Sequence, residues 1–340
     1  MKITMVGTSG SGKTVFSAGV YGKMMRRTFE KFAIIPRAAN FSEEILESHK
    51  FARDYKMLAA KKWPPGTTET KYYPLNLVYD GRSIVMFDWI DYRGGFLDDP
   101  ELDEVKAAEV HANIAASNAV ILFADAQKLV TSDDPDEASF VSGADAVMQI
   151  LQGYSRNYPS NNLTFIIALT KADGVESKWM GTNSDFRPLM DYARQVFQPI
   201  HEIIQREKTW RGGIIPVSTM GIGNVDANGN IVGFPKPMNI EHVIAYCLGS
   251  TLRNRRDELI DDIITIESDI ESIDAKYKGL WGVVKKTYQQ LRGVYSDGEA
   301  LAQHRRERRE DIQELLKIRD AVERLEEPAL EKIMMMTKRY

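Results

Sequence analysis

The chain has 340 residues, 43% of them hydrophobic and 27% charged, with a net charge of −4. This balance is enough to build a full core and provides no global field for nucleic acid or an anionic membrane. One cysteine, Cys247, excludes an intramolecular disulfide framework and fits a reducing compartment, and no apolar run is long enough to span a bilayer.

The first predicted element is a strand at 2–6, and a core strand starting at Lys2 leaves no room for a leader ahead of it, so a cytoplasmic location is expected. The strand runs into Gly7-Thr8-Ser9-Gly10-Ser11-Gly12-Lys13-Thr14, a complete phosphate-binding loop, and Val15 to Tyr21 continues with helical spacing. The glycines permit a tight path in which successive N–H groups point inward at phosphate oxygens, and the following helix adds the positive end of its dipole. In this pattern Lys13 reaches the β and γ phosphates and the Thr14 hydroxyl ligates Mg²⁺. A long segment, 30–66, follows and ends in Trp63-Pro64-Pro65-Gly66-Thr67-Thr68.

Strands are predicted at 72–79 and 83–88, joined by an Asp80-Gly81 hairpin turn that makes one edge strand antiparallel. The second leads into Asp88-Trp89-Ile90-Asp91-Tyr92-Arg93-Gly94-Gly95, where Asp88 and Asp91 are rival carboxylates and only Asp91 has a glycine three positions on. Further strands are expected at 119–125, at 163–170 ending in Thr170-Lys171-Ala172-Asp173, and at 213–218 ending near Ser218-Thr219. Alternation with helical patterns after the third strand predicts an α/β fold, a mostly parallel sheet with helices on both faces. Asp226-Ala227-Asn228-Gly229-Asn230 predicts a small hairpin without the twelve-position pattern of a calcium loop.

From Leu259 through Ile263, Ile266, Ile270, Ile273, Tyr277, Leu280 and Val284 the apolar positions alternate steps of four and three, a coiled-coil seam. Gly293 to Gly298 interrupts it and 299–327 resumes it, which predicts a helical hairpin within a second domain at 251–340, after a first domain at 1–250. Interleaved Glu307 and Glu310 make the basic run Arg305 to Arg309 a solvated helix face. The Met-rich tail, 333–340, exposes soft apolar groups suited to a partner, or forms the hairpin's last turn.

Thr170-Lys171-Ala172-Asp173 resembles the guanine-specifying motif of GTPases, in which a carboxylate accepts both N1–H and the exocyclic N2–H₂ of guanine. Asp91 to Gly94 looks like the GTPase Asp-x-x-Gly motif. The resemblance implies that Asp91 holds Mg²⁺ through a water and that the Gly94 N–H senses the γ-phosphate. Thr67 and Thr68 stand where the first switch threonine belongs, and Ser218-Thr219 where a short element touches guanine O6. These motifs occur in GTPase order, so 1–250 resembles the translation-factor-related superclass of P-loop GTPases, including Ras-like and dynamin-like proteins. Its 30–66 segment resembles that of bacterial GTPase-domain proteins of conflict and defence systems.

The resemblance implies GTP/GDP and Mg²⁺ as cofactors. The implied nucleotide-binding set is Gly7, Ser9, Gly10, Ser11, Gly12, Lys13, Thr14, Gly94, Thr170, Lys171, Asp173, Ser218 and Thr219. The implied metal-side set is Thr14, Thr67, Thr68 and Asp91, and Lys13, Thr68 and Arg93 are the candidate catalytic groups. Gly95 stands where the Ras-like pattern has a water-orienting glutamine, so hydrolysis is expected to be slow, or stimulated by a partner or by assembly, with Arg93 a candidate arginine finger. The expected function is a GTP-binding switch that relays its state through the hairpin to an effector protein or to a second copy. Two alternatives are a dynamin-like membrane remodeller, which needs a lipid-binding tip not evident here, and a non-hydrolysing GTP-binding scaffold, which need not retain Lys13, Thr14, Asp91 and Thr67 or Thr68.

Overall fold

The computed structural model describes residues 1–26, 28–38, 41–67, 69–92, 112–142, 144–157, 162–207 and 209–281, positions 303, 306, 309, 310, 312, 321 and 322, and 324–336. The chain divides into two units, Met1–Thr251 with Arg324–Tyr340, and Leu252–Glu323.

The first unit is built on eight strands: β1 (Lys2–Gly7), β2 (Phe32–Pro36), β3 (Lys71–Tyr79), β4 (Arg82–Asp91), β5 (Ala119–Asp125), β6 (Thr164–Thr170), β7 (Arg211–Pro216) and β8 (Met334–Met335). They form one sheet in the order β2-β3-β4-β1-β5-β6-β7-β8. The central run β4-β1-β5-β6-β7 is parallel. Strands β5 and β6 are buried at every position, as their unbroken apolar sequences require of strands covered on both faces.

The described helices are α1 (Lys13–Val20), α2 (Phe41–Ala59), α3 (Ala126–Leu129), α4 (Pro135–Ser142), α5 (Ala144–Asn157), α6 (Ser177–Met180), α7 (Arg187–Val196), α8 (Gln198–Arg206) and α9 (Ile240–Trp281). Phe16 of α1 packs edge-on against Phe123 at 5.0 Å and stacks with Trp89 at 6.3 Å, which pins the helix to β4 and β5. Complete burial of one such ring contributes about 2–3 kcal/mol.

The Asp80-Gly81 turn forms as expected: both residues take positive φ, 48° and 77°, and β3 and β4 pair antiparallel, Tyr79 opposite Arg82. The antiparallel strand is not at the edge, however. The segment 30–66 supplies β2, which pairs antiparallel with β3, and α2, whose Tyr55 and Leu58 are buried with Ala18 of α1. Phe32 buries its ring against Tyr79 at 4.7 Å, so the five-residue run Phe32–Pro36 gains as a strand what its shortness hides in sequence. The strand expected at 213–218 is shifted to Arg211–Pro216.

The far edge corrects the domain division. Met334 and Met335, expected to face a partner or end the hairpin, pair antiparallel with Ile214 and Gly213 of β7, and Ile333 and Met336 are buried. Without this strand β7 would present an apolar edge of open backbone donors and acceptors. The returning chain is also fixed at Glu326, buried, which accepts a hydrogen bond from Ser250 Oγ at 2.8 Å. The first unit is therefore not closed at 250: described residues 324–336 return to it, and Met334–Met335 complete its sheet.

Helix α9 runs 42 residues without a break. Its first turns are core: Val243, Ile244, Cys247 and Leu248 are fully buried, and burial pushes the Cys247 thiol up, which makes it inert. The second unit begins within this helix, at Leu252. The Gly293–Gly298 break, Val284 of the seam and most of the returning limb lie outside the described residues. No helix of the described residues is long and apolar enough to cross a membrane.

Candidate functional site

A cleft of about 870 Å³ opens at the carboxyl ends of β1, β6 and β7. From β1 the chain first fills the β4 side of the sheet and then returns to the β5 side. Such a reversal point is where open α/β sheets bind ligands, and the volume suits a small molecule.

Along one wall, β1 ends at Gly7 and the chain turns through Thr8 to Gly12 into α1. Gly10 and Gly12 take φ of 73° and 91°, a region that side-chain-bearing residues avoid, and Gly12 sits at the helix N-cap. Ser9 and Gly10 are exposed and Ser11 is buried. The ammonium of Lys13 is held at the loop's mouth, donating to Gly7 O at 2.6 Å, Thr8 O at 3.1 Å and Ser11 Oγ at 3.4 Å. The loop thus brings together the N-terminus of α1 and a buried cation, two features that favour negative charge.

Three oxygen-bearing side chains from distant parts of the sequence meet beside this loop. Thr14 Oγ1 and Thr67 Oγ1 are 2.9 Å apart, and Thr67 Oγ1 donates to Asp91 Oδ2 at 3.2 Å. Asp91 is the last residue of β4, opposite Met5 of β1, and is 2% exposed. Burial pushes its carboxyl up to about 6, against the pull of Lys13, the Thr67 hydroxyl and Lys71. Its Oδ1 is buried and has no hydrogen-bond partner among the described residues. Two hydroxyls and a carboxylate with an open lone pair are hard oxygen donors, which fit Mg²⁺. No group of three His, Cys, Asp or Glu side chains suited to a metal occurs among the described residues. The rival Asp88 lies further back on β4, opposite Lys2, and pairs with Arg37 at 3.2 Å.

The opposite wall is the loop after β6. Thr170 Oγ1 donates to Ser11 O at 2.7 Å and Ala124 O at 3.1 Å, which ties this loop to the phosphate loop. Lys171 takes φ of 54°, and its ammonium pairs with Asp125. The carboxyl of Asp173 is raised by burial and drawn back by a hydrogen bond with Ser218. Ser218 Oγ in turn accepts from Gly221 N at 2.8 Å, and Thr219 Oγ1 donates to Val15 O of α1 at 2.9 Å. Asp173, Ser218 and Thr219 all line the cleft with the phosphate loop.

Lys13, Thr14, Thr67, Thr170, Lys171, Asp173, Ser218 and Thr219 thus line one cleft, with Asp91 bonded to Thr67 behind it. Thr68, Arg93, Gly94 and Gly95 lie outside the described residues. Sequence reasoning missed Asp125 and Gln127. Asp125 Oδ1 caps α3 by accepting from Gln127 N and Lys128 N, its other oxygen takes Lys171, and Gln127 Nε2 donates to Gly174 O at 3.0 Å. An acidic residue between a buried strand and a helical run was the available signal. The hairpin at Asp226–Asn230 forms as expected, with Val225 bridged to Ile231, and also lines the cleft, which its sequence did not suggest. No protein-family model matches the chain, and no curated protein matches it.

Proposed function

We infer that the cleft binds a guanine nucleoside triphosphate with Mg²⁺, on a P-loop GTPase fold, and that the protein is a GTP-dependent switch with slow hydrolysis of the β–γ phosphoanhydride. One observation carries this reading: a phosphate loop, the oxygen set of Thr14, Thr67 and Asp91, and the carboxylate of Asp173 converge at one cleft. Lys13 and the loop N–H groups hold the phosphates, and Asp173 accepts from the base edge. Thr14, Thr67 and Asp91 hold Mg²⁺, which when bound neutralises phosphate charge.

The deciding experiment is calorimetric titration with GTP and with ATP in Mg²⁺. GTP is expected to bind and ATP to bind at least tenfold more weakly, about 1.4 kcal/mol. Equal binding overturns the guanine assignment.

Proton linkage gives a second check. With Asp91 titrating at about 6, the cation-binding carboxylate is lost as pH falls. Mg²⁺-dependent GTP affinity should drop about three- to fivefold from about pH 7.5 to about pH 5.5, and Asp91→Asn should abolish that pH dependence along with most of the Mg²⁺ dependence. In the ligand-free protein the sign is opposite. A folded-state pKa above the ordinary 3.8 makes Asp91 favour folding at low pH, and that contribution is lost as pH rises through about 6.

The relay reading is supported by α9, whose first residue, Ile240, lines the cleft while the same unbroken helix enters the second unit. With Gly95 in place of a glutamine, single-turnover hydrolysis is expected at about 10⁻⁴ to 10⁻² per second. If self-association through the second unit stimulates it, the rate per molecule rises with protein concentration. Replacing 252–323 by a short linker should remove that rise while sparing GTP binding. The variant must keep the chain from Arg324 onward, because Met334–Met335 complete the sheet. A fast, concentration-independent rate in that variant overturns the slow-switch reading.

A further inference from the structure

Three ties join the loop after β6 to the start of α3, and they run in chain order. Thr170 Oγ1 donates to Ala124 O at 3.1 Å, the Lys171 ammonium pairs with Asp125, and Gln127 Nε2 donates to Gly174 O at 3.0 Å. The sheet register sets them up: β5 and β6 are parallel neighbours with Asp125 opposite Thr170, so both chains leave the sheet side by side. The last tie also needs a bare backbone, since a Cβ at Gly174 would collide with the Gln127 amide.

Asp125 is central to this arrangement. It is 3% exposed and lies behind the cleft wall, whereas Gln127, Thr170, Lys171, Asp173 and Gly174 line the cleft. Its carboxylate is fixed by its own helix, because Oδ1 accepts from Gln127 N at 3.0 Å and Lys128 N at 3.3 Å. Oδ2 is left for Lys171, whose backbone takes the left-handed φ of 54°. A lysine side chain is otherwise free to take many rotamers, and ordering it on binding costs affinity. Paired at its far end, the apolar stem of Lys171 is held along the wall that also carries Asp173.

Resting on the nucleotide-site reading, we propose that Asp125 is a positioning residue for base recognition: it orders the Lys171 stem before the nucleotide arrives, so that guanine meets a preset wall. A helix cap alone would serve only α3. The pairing with Lys171 links the same carboxylate to affinity for the base.

The test is calorimetric titration of Asp125→Asn, Lys171→Met and the double variant with GTP, GDP and tripolyphosphate in Mg²⁺, beside thermal unfolding. Asparagine caps a helix about as well as aspartate, so α3 keeps its cap, but its N–H₂ meets the Lys171 ammonium donor to donor. The released ammonium reaches water, as the Lys171 side chain is 42% exposed. Affinities for GTP and for GDP should each fall about 3- to 10-fold in Asp125→Asn, about 0.6 to 1.4 kcal/mol, the scale of ordering one long side chain. Tripolyphosphate, which has no base, should bind as it does to wild type. In the Lys171→Met background, Asp125→Asn should change GTP affinity by less than about 1.5-fold, because the partner it acts through is gone. A purely structural role through α3 would persist in that background. GTP affinity of Asp125→Asn within about 1.5-fold of wild type, an equal loss of tripolyphosphate, a full further loss in the Lys171→Met background, or a collapse in melting temperature overturns the proposal, and wild-type GTP binding then leaves the nucleotide site standing. Failure of wild type to bind GTP overturns both.

Discussion

Lys13→Ala is expected to reduce GTP affinity at least 100-fold with little change in the melting temperature. Lys13 is the only cationic side chain in the loop, 5% exposed, and its ammonium is positioned by Gly7 O, Thr8 O and Ser11 Oγ. A buried ammonium against phosphate oxygens makes charge-assisted bonds about twice as strong as neutral ones, and 100-fold corresponds to about 2.7 kcal/mol. The fold does not depend on it. Phe16, not Lys13, pins α1 through Phe123 and Trp89, and Lys13 itself lines the cleft, so water can enter the space its side chain leaves. Calorimetric titration beside thermal unfolding checks both parts. GTP affinity within threefold of wild type would place the nucleotide elsewhere, and a collapse in melting temperature would mean that the ammonium is structural.

The parts of this molecule legible in the sequence are those encoded locally. Six strands were readable as apolar runs bounded by turn residues, and Asp80-Gly81 specified its hairpin because positive φ at both central residues is a local demand. The Gly7 to Thr14 loop was readable for the same reason. Elements that owe their form to distant partners were not. Strand β2 forms because Phe32 meets Tyr79, and β8 because β7 has an open edge, and neither cause lies within the segment itself. At the site, the motifs named Thr14, Asp91 and Asp173, but the mutual contact of Thr14, Thr67 and Asp91 is a product of tertiary folding. The Lys171 to Asp125 pair and the Trp63 to Gly229 bond join residues 46 and 166 apart, which no local pattern announces.

Asp173→Asn is expected to exchange the preferred base. A carboxylate accepts twice and donates nothing, which suits the N1–H and N2–H₂ of guanine, whereas xanthine carries a carbonyl at C2 and needs a donor there. Asp173 lies in the cleft, raised by burial and hydrogen-bonded with Ser218, so its oxygens are held in place at low dielectric where a mismatched partner is expensive. The amide keeps one acceptor and offers N–H₂, and Ser218 Oγ, already an acceptor for Gly221 N, can accept again or donate to the amide oxygen. GTP affinity should fall by about 2–4 kcal/mol, roughly 30- to 900-fold, while xanthosine triphosphate improves toward the wild-type value for GTP. The neighbouring ties limit the change to the base edge: Thr170 still bridges to Ser11, and Lys171 still pairs with Asp125. Competition titrations with GTP, xanthosine triphosphate and ATP on both proteins decide it. Loss of GTP without gain of xanthosine triphosphate would make Asp173 a structural carboxylate of the loop, and an unchanged preference for GTP would move base recognition to another residue.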